Sequence, residues 1–588
     1  MRRAWAVFAA RTCRTISASI KILPRQGEVA PKASEGAVNN QPTAGVLPLR
    51  RATPATSPWR GRILSRLKFE AVIFAVVLST PAAAQVAVTE KSIDQLQAML
   101  RTGKASSATI TQAYLARIAA MDRKGPKLRA VIAVAPDALA QARASDARRK
   151  AGRALGPLDG IPLLIKDNVE TRELPTTAGS LALKDNRTHR DAPLVALLRA
   201  KGAVILGKTN LSEWANIRSD HSMSGWSAVG GLVQNPYALD RTSCGSSSGT
   251  GAAIAASFAA AGVGTETDGS VVCPSSMNGL VGLKPTIGLV SRTRVVPISH
   301  SQDTPGPMAR SVRDVALLFS AMIGSDSADA ATKDADKHRA DYAAGLSADA
   351  LKGVRVAVVR ADVAPDLAAR FEAALAVLRR AGAVLVDVEK PKLEGLGAAE
   401  SLVLHTELKA DLNAYLATTP PSVKTRTIAD VIAFDNAHAA TEMPYFGQET
   451  FVKSDATKGL DDSDYKAARE KSLRLAGKEG VEAMLAKADA ALLVMPTYGA
   501  PWFSDPVNGD QYDGPSASEL PAVAGTPHLT VPMGLVDGLP VGLSFIGPAF
   551  SEAKLLSAGY AYEQLAKARA VPKYLPHAAP GPGLDGAR

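Results

Sequence analysis

Residues 242–285 read TSCGSSSGTGAAIAASFAAAGVGTETDGSVVCPSSMNGLVGLKP, and their reading decides the fold. Two loops rich in Gly and Ser bracket an Ala-rich apolar stretch, 252–263, which predicts a buried helix. Glycine lets a backbone approach a neighbour closely or take positive φ, and serine supplies hydroxyls. A flexible linker uses the same residue types, but a linker would not enclose an apolar helix or run straight into the apolar residues 280–283. Working outward toward the N-terminus, residues 161–165 (IPLLI) form an apolar run read as a buried strand, ending at Lys166-Asp167-Asn168. Residues 192–201 predict a helix and 203–206 another buried strand. Helices are expected at 92–102, with Ser92 as cap and Gly103 as stop, at 109–121 and at 137–152. Toward the C-terminus, strands at 354–359 and 383–388 flank a helix at 365–381. Residues 395–480 read as mostly helical, and strands follow at 491–495, 529–534 and 539–546. Alternating strands and helices argue an α/β fold.

The 588 residues carry a formal net charge of +12, which taken whole suggests a nucleic-acid or membrane partner. The charge is not spread. Residues 1–84 hold 13 Lys and Arg against Glu28, Glu35 and Glu70, so ten of the twelve net charges lie there. The remaining chain is nearly neutral and gives no reason to expect nucleic acid. The segment before residue 85 ends like a secretory signal: Arg60, Arg62, Arg66 and Lys68, then AVIFAVVL (71–78), then an A-x-A site at Ala82-Ala83-Ala84. We therefore expect a non-native or disordered extension at 1–62, a signal peptide at 63–84, a catalytic domain at 85–575 and a disordered tail at 576–588. The expected location is secreted or periplasmic. No apolar run reaches the roughly 18–20 residues of a membrane span.

Three motifs match known chemistry on paper. Gly202 to Thr209 fits the P-loop pattern, but Ala203-Val204-Ile205-Leu206 is a strand by composition, and a strand points alternate N–H groups in opposite directions and cradles no phosphate. A P-loop nucleotide-binding protein is thus a weak alternative. Gly245 to Gly249 fits the G-x-S-x-G nucleophile elbow with Ser247 at its centre, yet the entry, 240–244, is polar where an elbow needs an apolar strand. Ser551 to Lys554 fits S-x-x-K, but Ser551 sits where a helix N-cap is expected. The eight histidines show no metal-ligand spacing, and neither a metal nor a cofactor is expected.

The chain resembles the amidase signature family of serine hydrolases. GPLDGIPLLIKDNVETRELPTTAGS (156–180), GAVILGKTNLSEWA (202–215), CGSSSGTGAA (244–253), TETDGSVVCPSSMNGLVGLKPTIGLVSR (265–292) and AVAGTPHLTVPMGLVDGLPVGLSFIGPAFSE (522–552) carry the resemblance, roughly over 90–570. TETDGSVVCP is most similar to the bacterial peptide-amidase-like branch. The resemblance implies a single large α/β/α domain around a mixed β-sheet. It implies Ser270 as nucleophile, Ser246 as a bridging serine after a cis peptide bond, Lys166 as base, and the backbone N–H groups of Thr267, Asp268, Gly269 and Ser270 as oxyanion donors. The implied activity is hydrolysis of the C–N bond of small or C-terminal peptide amides. The rival within the family is the glutamine-hydrolysing subunit of a tRNA amidotransferase. A serine hydroxyl needs a base within reach, and a lysine serves only if burial holds it neutral; five apolar residues before Lys166 fit that need.

Four positions depart from the family pattern. Cys244 and Ser248 stand where glycines are usual. Asp268 replaces a glycine in the oxyanion segment, and its carboxylate is expected to turn away from the developing charge, toward a polar group of the substrate. Val272 stands where many members have Arg. Cys244 and Cys273 each lie within three residues of a catalytic serine, so both a disulfide and two free thiols stay open.

Overall fold

The computed structural model describes residues 86–578 apart from residue 513. The expected extension and signal, 1–62 and 63–84, and residues 579–588 of the expected tail lie outside the described residues. Eleven strands are described: β1 (Val131–Val134), β2 (Pro162–Lys166), β3 (Val204–Thr209), β4 (Ala261–Glu266), β5 (Val281–Lys284), β6 (Thr304–Ala309), β7 (Arg355–Val359), β8 (Val384–Val388), β9 (Leu492–Pro496), β10 (His528–Val536) and β11 (Leu539–Ile546). They form one sheet in the order β1-β3-β2-β4-β6-β5-β10-β11-β9-β7-β8. β3, β2 and β4 run parallel, as do β9, β7 and β8, while the strands between them are antiparallel. The sheet is therefore mixed, as expected.

Both faces are covered. Successive strand residues point to opposite faces, and on β7 Val356 and Val358 join one apolar core while Ala357 and Val359 join another. On β9 Leu492 and Val494 divide from Leu493 and Met495 in the same way. A sheet buried on both faces reads as a continuous apolar run, which is why these strands are visible in the sequence. The larger core also takes Ile93, Leu96, Ile110 and Tyr114 from the N-terminal helices and Leu555 and Leu556 from the last one. The first helix, Ile93–Arg101, starts at Ser92, whose hydroxyl accepts from the Gln95 N–H. Among the described residues no helix is long and apolar enough to cross a membrane.

The structure corrects the reading of 252–263. The helix is Ser248–Ala255, and the remaining apolar residues enter β4. Gly262 and Gly264 make this possible: a Cβ at Gly262 would stand 2.7 Å from Thr250 Cγ2, and one at Gly264 would stand 2.7 Å from Ser247 Oγ. Strand and helix therefore pack closer than side chains would allow. β1, β5 and β6 were not expected. β6 reads TPGPMA, and Pro305 and Pro307 lie beyond the two pairs it makes with β5, Val281 with Ala309 and Gly282 with Met308. Both prolines stand in the ladder with β4, Pro305 opposite Thr265 and Pro307 opposite Val263. Ser551 precedes the helix Glu552–Ala566, but its hydroxyl does not cap it; the Ser551 carbonyl accepts from the Leu555 N–H instead.

Candidate active site

Parallel pairing of β2 with β4, Leu164 opposite Gly262 and Ile165 opposite Val263, brings the C-terminal ends of the two strands side by side. Lys166 closes β2, and β4 runs from Glu266 directly into Thr267-Asp268-Gly269-Ser270. The helix that follows, Val272–Met277, begins where the Glu266 carboxylate accepts the Val271 and Val272 N–H groups at 2.7 and 2.9 Å. Gly269 has φ +78°, and a Cβ there would stand 2.5 Å from the Tyr498 hydroxyl, so the turn needs glycine.

Lys166 is fully buried. Its Nζ lies 2.7 Å from Ser246 Oγ, 2.9 Å from Thr265 Oγ1 and 3.2 Å from the Thr265 carbonyl. No carboxylate among the described residues is within ion-pair distance of it. Burial pulls its pKa from 10.5 down to about 7, against the opposing pull of Asp303 and Glu266. The base and the bridging serine expected from the sequence are thus in contact, and the Gly245–Ser246 peptide bond is cis. Ser270 is joined to the same loop through its carbonyl, which accepts the Ser247 N–H at 3.1 Å. Its side chain keeps a small opening, 7% exposed, and among the described residues its hydroxyl makes no hydrogen bond. The N–H groups of Thr267, Asp268 and Ser270 have no protein acceptor among the described residues, which is the state a group that binds an oxyanion needs.

Ser247 differs in each respect. It is fully buried, its Oγ accepts the Thr265 N–H at 3.2 Å and donates to the Thr265 carbonyl at 3.1 Å, and so it ties the loop to β4. The elbow motif is a structural joint here. The P-loop motif is β3, an extended strand, and Lys208 within it donates to Asp167 at 2.7 Å.

Cys244 and Cys273 form a disulfide, with Cα atoms 6.0 Å apart, joining the loop before Ser246 to the helix after Ser270. Cys244 takes φ +53°, the left-handed region where glycine is usual. Val272 is fully buried. The Asp268 carboxyl meets Ser518 on the loop after β9. Burial first, and then Glu266 and Glu519, push its pKa up to about 7, with Ser518 opposing. One of its oxygens is buried without a partner. Glu400, held by Gln302 at 2.8 Å, is pushed up to about 8 by burial and by Asp268. Sequence reasoning missed Thr265, Glu266, Gln302, Asp303 and Glu400. Only Thr265 and Glu266 lie inside one of the motifs that carry the resemblance.

His300, Glu407 and Asp411 also converge. Glu407 already accepts from Ser299, Ser301 and Tyr465, and His300 Nδ1 lies 2.9 Å from Asp411. These are the bonds of a satisfied polar network.

The family profile described as Amidase matches residues 109–556. The chain belongs to the amidase family. A probable amidase of Arabidopsis thaliana is 36% identical over 521 residues, covering 85% of this amidase and 96% of the relative. A glutamyl-tRNA(Gln) amidotransferase chain of Roseiflexus castenholzii is 36% identical over 507 residues, covering 81% and 95%. Among solved structures, the native peptide amidase of Stenotrophomonas maltophilia superposes with a TM-score of 0.79 at 50% identity, covering 83% of this chain and 99% of that one. This amidase is an amide-hydrolysing enzyme with the large mixed-sheet α/β fold of those structures.

Proposed function

We propose that this amidase cleaves C-terminal peptide amides or other small amides through an acyl-enzyme on Ser270. The observation that carries the reading is Lys166: a fully buried amine, 2.7 Å from Ser246 Oγ, with its pKa pulled to about 7. At neutral pH much of it is unprotonated and able to take a proton. Ser246 gives its proton to Lys166 and receives that of Ser270. The Ser270 Oγ–C bond forms as the carbonyl oxygen becomes an oxyanion held by the free N–H groups of Thr267, Asp268 and Ser270, while the expected fourth donor, the Gly269 N–H, is turned to the Glu266 carboxylate. Donors aimed at such an oxygen contribute about 2.7–4 kcal/mol each. The proton then returns through Ser246 to the departing nitrogen, the C–N bond breaks, and ammonia or an amine leaves. Water repeats the sequence on the ester and releases the acid.

The 50% identity to a peptide amidase supports amidated peptides as substrates. The buried Val272, where many members have Arg, and the lower identity to the amidotransferase chain weigh against glutamine hydrolysis for a partner enzyme. The disulfide fits an exported protein with a mature N-terminus near Gln85. The test is hydrolysis of C-terminally amidated dipeptides, aliphatic amides, anilides and glutamine by wild type and by Ser270→Ala. Amidated peptides should be cleaved best and Ser270→Ala should be inactive. Retained activity in Ser270→Ala, or loss confined to Ser247→Ala, would overturn the mechanism.

A further inference from the structure

Asp303 lies outside every motif and reaches the site from the loop before β6. Its carboxylate accepts Thr267 Oγ1 at 2.5 Å on one oxygen and the Ile298 and Ser299 N–H groups at 2.8 and 3.0 Å on the other. The next residue back, Gln302, reaches the Thr267 carbonyl with its amide at 3.4 Å. Thr267 opens the oxyanion segment, and its own N–H is one of those left free. The loop therefore grips the first residue of that segment by side chain and by carbonyl, leaving the N–H untouched.

Asp303 also faces a narrow cavity of about 10 Å³ whose lining includes Asn168, Thr265 and Thr267, and Thr265 is a residue that Lys166 Nζ contacts. It shares Arg292 and Val295 with a wider, open cavity. Arg292 lowers the Asp303 pKa through its charge but is not bonded to it. Its guanidinium is committed to Asp329 at 2.5 and 2.9 Å and to the His300 carbonyl. The Asp303 carboxylate is thus held by neutral donors and is one of two acids that act on Lys166, the other being Glu266 on β4.

We propose that Asp303 is a positioning residue of this amidase, aligning the oxyanion segment through Thr267 and setting the electrostatic surroundings of Lys166 with the same carboxylate. The inference rests on the Ser270–Ser246–Lys166 assignment above. Burial pushes the Asp303 pKa up to about 6, partly offset by Thr267, the two backbone donors and the charge of Arg292, so the group is largely ionised at pH 7. An ionised Asp303 favours the charged form of Lys166. Removing the charge lets the lysine value fall, so the acid limb of the rate profile moves to lower pH.

The test follows the rate of Ser270 phosphonylation by a fluorophosphonate against pH. In that reaction a Ser Oγ–P bond forms, the P–F bond breaks, fluoride leaves and the serine proton passes to Lys166. Asp303→Asn should move the acid limb down by about 0.5–1 unit and lower the plateau by about tenfold or more. Thr267→Val should lower the plateau by about tenfold and leave the limb in place, and Thr267→Ser should restore it. A folded Asp303→Asn enzyme with the wild-type limb and a plateau within about twofold overturns the inference. If Asp303→Asn does not fold, an unchanged plateau in Thr267→Val overturns it instead. Ser270→Ala separates the two claims: labelling that persists there sinks the Ser270 assignment, whereas loss of labelling there with an unchanged Asp303→Asn sinks only the role of Asp303.

Discussion

Lys166 and Lys208 sit on neighbouring parallel strands, one residue out of register: Lys208 pairs with Ile165, and Lys166 pairs with Thr209. Both are fully buried. Their surroundings divide them. Lys208 donates to the Asp167 carboxylate at 2.7 Å and to Thr176 Oγ1 at 3.0 Å, so burial, which lowers its pKa, is opposed by an ion pair. Lys166 has only hydroxyls and a carbonyl within reach. The same side chain in the same layer of the sheet is tied to a carboxylate in one case and, on the function proposed above, serves as the base in the other. The difference lies in whether a carboxylate touches it, since burial alone disfavours the charged form and a touching carboxylate restores it.

The sharpest way to break this contrast is to remove each amine. Lys166→Met should lower kcat/KM by about 10³-fold or more, since the serine loses its base. The folded state should be as stable as wild type or more so at neutral pH. The sign follows from linkage: the folded pKa is about 7 against 10.5 for the free side chain, so between those values only the unfolded chain holds the proton. Wild type therefore gains stability as pH rises through that window, and Lys166→Met lacks this gain. Urea titrations at pH 7 and pH 10 on both proteins check it. A marked loss of stability in Lys166→Met at pH 7 would mean that the amine is a structural cation after all.

Lys208→Met should do the reverse. It leaves Asp167 buried opposite no cation, which costs about 3–5 kcal/mol, while the protein that remains folded should keep its activity per active site. Asp167 also accepts the Thr177 hydroxyl and the Thr177 N–H at 3.1 Å, so its loss of a partner would be felt in the loop that follows β2. Adding Asp167→Asn to Lys208→Met should recover part of the stability, read as a Tm that rises in the double variant. A Tm within a degree or two of wild type in the single variant would refute the ion pair.

The contrast is half legible in the sequence. The run IPLLI announces a buried strand, and a lysine at its end has to be paired or neutral. GAVILGKT reads as a strand in place of a phosphate loop because four apolar residues stand between its glycines. What decides the roles is not legible. Asp167 is adjacent to Lys166 in sequence yet serves Lys208, because consecutive strand residues point to opposite faces and only the register with β3 says which neighbour each meets. Thr265 and Asp303 arrive from β4 and from the loop before β6, and β6 hides behind two prolines. The stretch 252–263 misleads for a related reason: alanine and glycine fit a buried helix and a closely packed strand equally well, and composition gives no point at which one becomes the other. Cys244 and Cys273 stay undecided until the fold places their loops together.

The mildest test of the contrast alters a hydroxyl that holds Lys166 in place. Thr265 Oγ1 accepts from Lys166 Nζ and from Asn168 Nδ2, each at 2.9 Å. In wild type kcat/KM should rise with pH through an acid limb near 7, because the active form carries an unprotonated Lys166. Thr265→Val removes an acceptor that favours the ammonium, so the limb should shift to lower pH. The plateau should fall by about tenfold as the amine loses its alignment on Ser246, an effect the size of one or two hydrogen bonds. The same substitution leaves the surroundings of Lys208 intact and should not reproduce the Tm loss of Lys208→Met. A limb that moves upward instead would mean that Thr265 holds Lys166 neutral by donating to it, and that the amine is already unprotonated in the resting enzyme.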